Sequence, residues 1–165
     1  METKLIILRG PSGSGKSTVA KRLKDSSSRN IATIEQDMFR HNILHDQENA
    51  REISAVMMKD AIVSALSNGY DVIADGIFDI SHSKKLFDEI LEEHQDNNYI
   101  YYFNISFNES LARHDTRHKK NDFSEEEMKK WYMPPSPSGY DFEVEISENM
   151  SEDETVAMIK KHVGY

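Results

Sequence analysis

Cysteine is absent from all 165 residues, which closes disulfide bonding, thiolate metal ligation and thiol catalysis together. Long hydrophobic runs are missing too. Only four consecutive apolar residues, Leu5-Ile6-Ile7-Leu8, precede Arg9, so neither a signal peptide nor a membrane span is expected, and a cytoplasmic location follows by default. The chain also lacks net positive charge. Its formal charge of −9, with the acid concentrated in the C-terminal third, disfavours general affinity for nucleic acid or an anionic membrane, though not a local basic site. No internal repeat or linker interrupts the sequence. The length suits one domain with a single substantial core and leaves no room for an ATPase module carrying a separate helical lid domain.

What is present begins at residue 4. Leu5-Ile6-Ile7-Leu8 is β-rich, too short for a buried helix, and broken at once by Gly10 and Pro11, the pattern of a central strand in a parallel sheet. Gly10-Pro11-Ser12-Gly13-Ser14-Gly15-Lys16-Ser17-Thr18 is then a P-loop. Its glycines permit backbone conformations in which successive N–H groups curl round a phosphate, and the helix that follows, from Lys16 to about Lys24, points its N-terminal dipole at the same anion. Lys16 is expected to neutralise the β- and γ-phosphates of ATP, and the Ser17 hydroxyl to ligate Mg²⁺. The motif leaves the fate of the γ-phosphate open, because kinases, GTPases and ATPases share it.

Apolar segments then alternate with helical ones. Strands are expected at 31–35, 70–75, 99–105 and 140–146, and helices at about 47–67 and 83–94, from Glu109, and after two capping boxes, Ser124 to Glu127 and Ser151 to Glu154. Five strands alternating with helices make one doubly wound α/β domain over residues 1–165, with a parallel sheet covered on both faces. In such sheets ligands bind beyond the carboxyl ends of the strands. Asp37 and Arg40 follow the second strand and so fall beside the phosphate loop, with a plain helix N-cap as the alternative role for Asp37. Asp75 closes the third strand in the Walker B manner, a carboxylate for Mg²⁺. Arg113 and Arg117 lie four apart in a basic stretch. They form either a lid over the transferring phosphates, at about 113–122, or a solvated basic face. The pairs His41/His45 and His114/His118 have helical spacing but no third ligand, and surface histidines are expected. No Asn-Lys-x-Asp guanine motif occurs, which disfavours a GTPase switch.

Assembled, these residues resemble the small P-loop kinases that include the 5′-kinase domain of polynucleotide kinases, chloramphenicol phosphotransferase, and gluconate- and shikimate-type kinases. Asp37 with Arg40 three residues later matches the polynucleotide kinase pattern of a general base and an acceptor-side arginine, and Arg113 with Arg117 matches its lid pair. Gly139-Tyr140-Asp141-Phe142-Glu143-Val144 and Asp75-Gly76-Ile77-Phe78 are similar to chloramphenicol phosphotransferase instead. The resemblance implies a P-loop NTPase fold with strand order 2-3-1-4-5. It also implies in-line transfer of the ATP γ-phosphoryl group to a hydroxyl, with Asp37 as base. Residues 38–60, including Phe39, Arg40, His41, His45, Arg51 and Met57, are expected to line the acceptor pocket with Phe78 and His82. A small hydroxylated acceptor is favoured over a nucleic-acid 5′-hydroxyl by the charge distribution. An ATPase module without an acceptor would not need an acid at Asp37 beside the Walker B acid. The chain is expected to act as a monomer or homodimer.

Overall fold

The computed structural model describes residues 2–115, 124–132, 134 and 136–165. Five strands form one sheet in the order β2-β3-β1-β4-β5, every neighbouring pair parallel: β1 (Leu5–Arg9), β2 (Ile31–Glu35), β3 (Asp71–Gly76), β4 (Asn98–Asn104) and β5 (Glu143–Ser147). This is the expected order. The alternation of side chains along β1 separates two cores. Leu5 and Ile7 pack with Val72, Ala74, Met58, Ile62, Phe87 and Ile90 on one face. Ile6 and Leu8 pack with Val19, Leu23, Tyr101, Ile146 and Ile159 on the other. The first face is covered by α2 (Ala50–Ser67) and α3 (Ile80–Glu93), and the second by α1 (Lys16–Asp25) and α6 (Glu152–Val163). A strand apolar on both sides must be covered on both sides, which is why β1 sits in the middle.

The helix termini follow their local chemistry. Ser124 and Ser151 each accept from the backbone N–H three residues on, while Glu127 and Glu154 return the bond, so both expected capping boxes form. They open α5 (Glu125–Trp131) and α6. Helix α4 (Phe107–Asp115) starts before the expected cap at Asn108; the Ser106 hydroxyl accepts from Glu109 N instead, at 3.3 Å. Helix α3 likewise begins earlier than expected, because Asp79 accepts from Ser81 N at 3.0 Å.

One element had no counterpart in the sequence reading. Residues Met38–Ile43 form a π-helix directly after β2, a wide turn that recurs at functional sites. It drives Phe39 into the first core, and it carries Arg40 and His41 outward on the following positions.

At the amino ends of the strands, opposite the P-loop, Asp71 is fully buried. It accepts from Lys4 N at 2.9 Å, from Tyr165 Oη at 2.8 Å and from Arg29, whose Nη2 lies at 2.7 Å. The C-terminal tyrosine is thereby fastened to the sheet. Burial alone would raise the Asp71 carboxyl, but the bonds from Arg29, Tyr165 and Lys4 together hold it below its ordinary value.

Candidate active site

The phosphate half of the site is built from backbone. Gly10, Gly13 and Gly15 have φ of +145°, +80° and +101°, values that side chains resist. Two of them are also closed in by neighbours: a Cβ on Gly10 would lie 2.7 Å from the Phe103 carbonyl oxygen, and one on Gly13 2.8 Å from that of Ser110. Gly15 stands at the N-cap of α1 with no side chain capping it, so the first amides of the helix remain directed at the loop's interior. Lys16 is buried, and its ammonium donates to Gly10 O at 3.0 Å, Pro11 O at 2.8 Å and Ser14 Oγ at 3.2 Å. Pro11 and Ser14 are buried, Ser12 is half-buried, and Ser17 and Thr18 are exposed at the start of α1.

Helices α4 and α5 back this loop. Arg113 donates through Nη1 to Ser14 O at 3.0 Å, through Nε to Glu109 at 2.7 Å and through Nη2 to Glu148 O at 2.9 Å. Its guanidinium thus touches the loop, 4.0 Å from where a Gly15 Cβ would stand. Met128 of α5 is buried against Gly13. Arg117 and most of the expected lid lie outside the described residues.

Across the sheet, Asp75 is the penultimate residue of β3, in register with Leu8 of β1 and Glu35 of β2, and it is buried. The next residue must be glycine. A Cβ on Gly76 would meet the Gln36 side chain at 2.8 Å, and Gln36 Oε1 accepts from Phe78 N at 3.4 Å. Gln36 so ties the chain leaving β2 to the chain leaving β3, a link that sequence reasoning missed. The carboxylate of Asp37, one residue on, is 69% exposed. Asp37 makes no side-chain cap bond to the π-helix, which removes the N-cap alternative. Since β2 and β1 are separated by β3 alone, Asp37 emerges about 10 Å along the sheet from the strand carrying the P-loop.

Arg40 is tied down by an acid. Its Nε pairs with Asp46 at 3.2 Å. Asp46 also accepts from His41 Nδ1 at 2.5 Å, and His41 Nε2 lies 3.6 Å from Asp37. The His41 hydrogen bond above all, with Arg40 adding, holds the Asp46 carboxyl below its ordinary value. Of the expected aromatic pocket walls, Phe39 and Phe78 both pack in the first core, at 9% and 1% exposure, and Phe78 also borders a small cavity beside Gly10 and Pro11. The outward apolar groups in this stretch are Met38, Ile43, Ile53 and Val56 instead. Arg51, His45 and His82 are exposed, and Met57 packs against the core. His82 Nδ1 donates to the Asp79 carboxylate at 2.8 Å.

Arg9 is a further residue the sequence reading passed over. It is 1% exposed and stacked on Tyr102, pairs with Glu143 at 2.7 Å, and donates to Ser136 O at 2.6 Å. A buried charge needs such partners. The effect is to fasten the proline-rich segment to the strand that delivers the P-loop, around a small cavity lined by Gly10, Pro11, Phe78, Asp79 and Pro134. The detectable signal was an arginine in the last place of an otherwise apolar central strand.

The uncapped N-terminus of α1, the glycine cradle and Lys16 fit the phosphates of ATP, and the Ser17 hydroxyl with the Asp75 carboxylate fits the oxygen-preferring Mg²⁺. Among the described residues no cluster of three or more His, Asp or Glu could hold a metal by itself, as expected where substrate phosphates supply ligands. No described helix is long and apolar enough to cross a membrane.

Comparison with known proteins agrees with this geometry. No curated protein matches the chain by sequence. Among solved structures, APS kinase of Mycobacterium tuberculosis, in complex with AMPPNP and APS, superposes with a TM-score of 0.74 at 16% identity, covering 99% of each chain. A gluconokinase from Sinorhizobium meliloti superposes at 0.70 with 17% identity, over 99% of this chain and 93% of that one. A chain of the Pnkp1/Rnl/Hen1 RNA repair complex superposes at 0.59 with 23% identity, over 78% of this chain and 42% of its own. These likenesses establish the fold as that of the P-loop kinases. The family model described as an AAA domain, AAA_33, matches residues 5–133, and the chain belongs to that family.

Proposed function

We propose that this protein is an ATP-dependent kinase that transfers the γ-phosphoryl group to a hydroxyl of a small molecule, with Asp37 as general base. The observation that carries the reading is the state of Asp37. Its carboxylate is exposed and caps nothing, and it stands on the far side of Asp75 from the P-loop. A nucleotide-binding module without an acceptor has no use for it there.

In the proposed reaction the loop amides and Lys16 hold the triphosphate, and Arg113 keeps the loop in shape through Ser14. Bound Mg²⁺, held by Ser17 and Asp75, supplies charge neutralisation at the phosphate oxygens. Asp37 orients the acceptor hydroxyl and takes its proton as the oxygen attacks the γ-phosphorus in line. Arg117 completes the charge stabilisation from the lid.

A small acceptor is supported by the disposition of cations. Arg40 is paired with Asp46 and Arg113 with Glu109, the chain carries −9 overall, and no basic track leads to the site among the described residues. A polynucleotide needs such a track.

The test is phosphate transfer from ATP to a panel of gluconate and other sugar acids, adenosine 5′-phosphosulfate, nucleosides, hydroxylated antibiotics and 5′-hydroxyl oligonucleotides. With the acceptor found, Asp37→Asn should keep Mg²⁺-ATP binding and lose transfer by about 10²-fold or more. Full transfer by that variant refutes the base. Efficient, salt-sensitive labelling of oligonucleotides alone refutes the small acceptor.

A further inference from the structure

The π-helix after β2 holds a side-chain cluster that the phosphate site does not explain. Its centre is His41. One ring nitrogen, Nδ1, lies 2.5 Å from Asp46 Oδ2, and the other, Nε2, lies 3.6 Å from Asp37 Oδ1, a fraction of an ångström outside hydrogen-bonding range. Asp46 is held from its second oxygen by Arg40 Nε at 3.2 Å. The backbone that presents it is strained: His45 and Asp46 have φ of +51° and +54°, a left-handed pair with no glycine in it. Such strain persists where the surroundings enforce it. Here the enforcing contacts are those of Asp46 with Arg40 and His41, together with Asp46 N donating to Arg40 O at 3.0 Å.

The wide π turn matters to this arrangement. It lets two consecutive residues, Arg40 and His41, both reach back to one carboxylate while His41 still faces Asp37 four positions earlier. An ordinary surface histidine, the role expected from sequence, would need none of this.

We propose that His41 is the positioning residue of Asp37: Asp46 fixes the imidazole with its proton on Nδ1, so that the Nε2 lone pair holds the Asp37 carboxyl once it is protonated and relieves it of the proton taken from the acceptor. This rests on Asp37 being the base. As the acceptor oxygen bonds to the γ-phosphorus, the bond from that phosphorus to the β–γ bridging oxygen breaks and ADP departs with the electron pair. The hydroxyl proton passes to Asp37, from the protonated carboxyl to the lone pair on Nε2, and from the half-exposed ring to solvent. A hydrogen bond from Nδ1–H to a carboxylate selects the tautomer that leaves Nε2 able to accept.

The ring's tautomer can be read without any acceptor. In long-range ¹H–¹⁵N spectra of the intact protein, His41 should show a pyrrole-like Nδ1 and a pyridine-like Nε2 when neutral, and Asp46→Ala should abolish that preference. A neutral ring protonated on Nε2 overturns the proposal even if no variant folds. The kinetic arm uses Mg²⁺-ATP with water as acceptor. His41→Asn keeps an N–H donor for Asp46 but has nothing at the Nε2 position. It should lower kcat for phosphate release by about 10-fold or more, with KM for ATP unchanged. Wild-type kcat in His41→Asn, alongside a large loss in Asp37→Asn, overturns the positioning role while leaving the base intact. Wild-type release by Asp37→Asn overturns the base and the positioning role with it.

Discussion

Replacing Lys16 by methionine keeps the aliphatic stem and removes the ammonium, and the structure assigns two separable consequences to that loss. The first falls on the loop itself. Gly10 O, Pro11 O and Ser14 Oγ all accept from Nζ, so the variant leaves these acceptors to water at a net cost of about 1–2 kcal/mol, less than the gross value because the loop borders solvent. For a chain of this size that lowers Tm by about 2–8 °C. The second falls on ATP. The ammonium is already fixed on two loop carbonyls, so little ordering cost attends its turn toward phosphate. One charge-assisted contact of this kind contributes about 2–3 kcal/mol, which weakens Kd for Mg²⁺-ATP by about 30- to 150-fold when lost. Calorimetric titration at fixed salt, with a melting curve on the same sample, measures both. A variant that melts cooperatively near the wild-type temperature and binds ATP within about 3-fold of wild type would refute the assignment of Lys16 to the phosphates and to the loop.

Two further outcomes follow from the described contacts. Gly13→Ala puts a Cβ 2.8 Å from a backbone oxygen, that of Ser110, at φ +80°; the combined strain and overlap of about 2–4 kcal/mol should lower Tm by about 5–15 °C and weaken ATP binding, and a neutral result in both would show the α4 contact to be dispensable. Asp71→Asn should cost about 2–3 kcal/mol, below the usual 3–5 for a broken buried pair because Arg29 keeps 23% exposure. The pH dependence has a definite sign. The folded carboxyl is held below its ordinary value, so its contribution is complete above about pH 5 and is lost as pH falls through the lowered value. The melting-temperature gap between wild type and Asp71→Asn should therefore narrow on acidification below pH 4. A gap that widens there refutes the assignment.

The phosphate half of the site was legible in the sequence because its information is local. Gly10, Gly13 and Gly15 specify a backbone path by lacking side chains, and Lys16 and Ser17 follow at fixed offsets on a helix whose start the loop itself determines. The capping boxes at Ser124 and Ser151 were legible for the same reason, each being closed within four residues. Strand order was not derivable from periodicity. It came from resemblance, and its physical basis lies in which strands are apolar on both faces: β1 is buried throughout, whereas β5 carries Glu143 and Glu145 and sits at the edge.

Of the part of the candidate site that follows β2, only Asp37 was legible. Asp37 follows from the end of β2, but the path of the chain after it is decided by contacts at a distance. Phe39 turns inward because the first core has room for it, and that rotation puts Arg40 and His41 outside, where Asp46 gathers both. Composition suggested aromatic walls at Phe39 and Phe78. Both rings are buried in the first core, Phe78 also lining the cavity beside Gly10, and the exposed polar groups near Phe39 are Asp37 and His41, two positions to either side. Gly76 shows the same logic from the opposite strand. It reads as a mere strand end, yet its missing Cβ is what lets Gln36 approach and join the ends of β2 and β3. That junction ties the segment carrying Asp37 to the strand carrying Asp75, so Gln36 and Gly76 fix how these two acids are placed relative to each other.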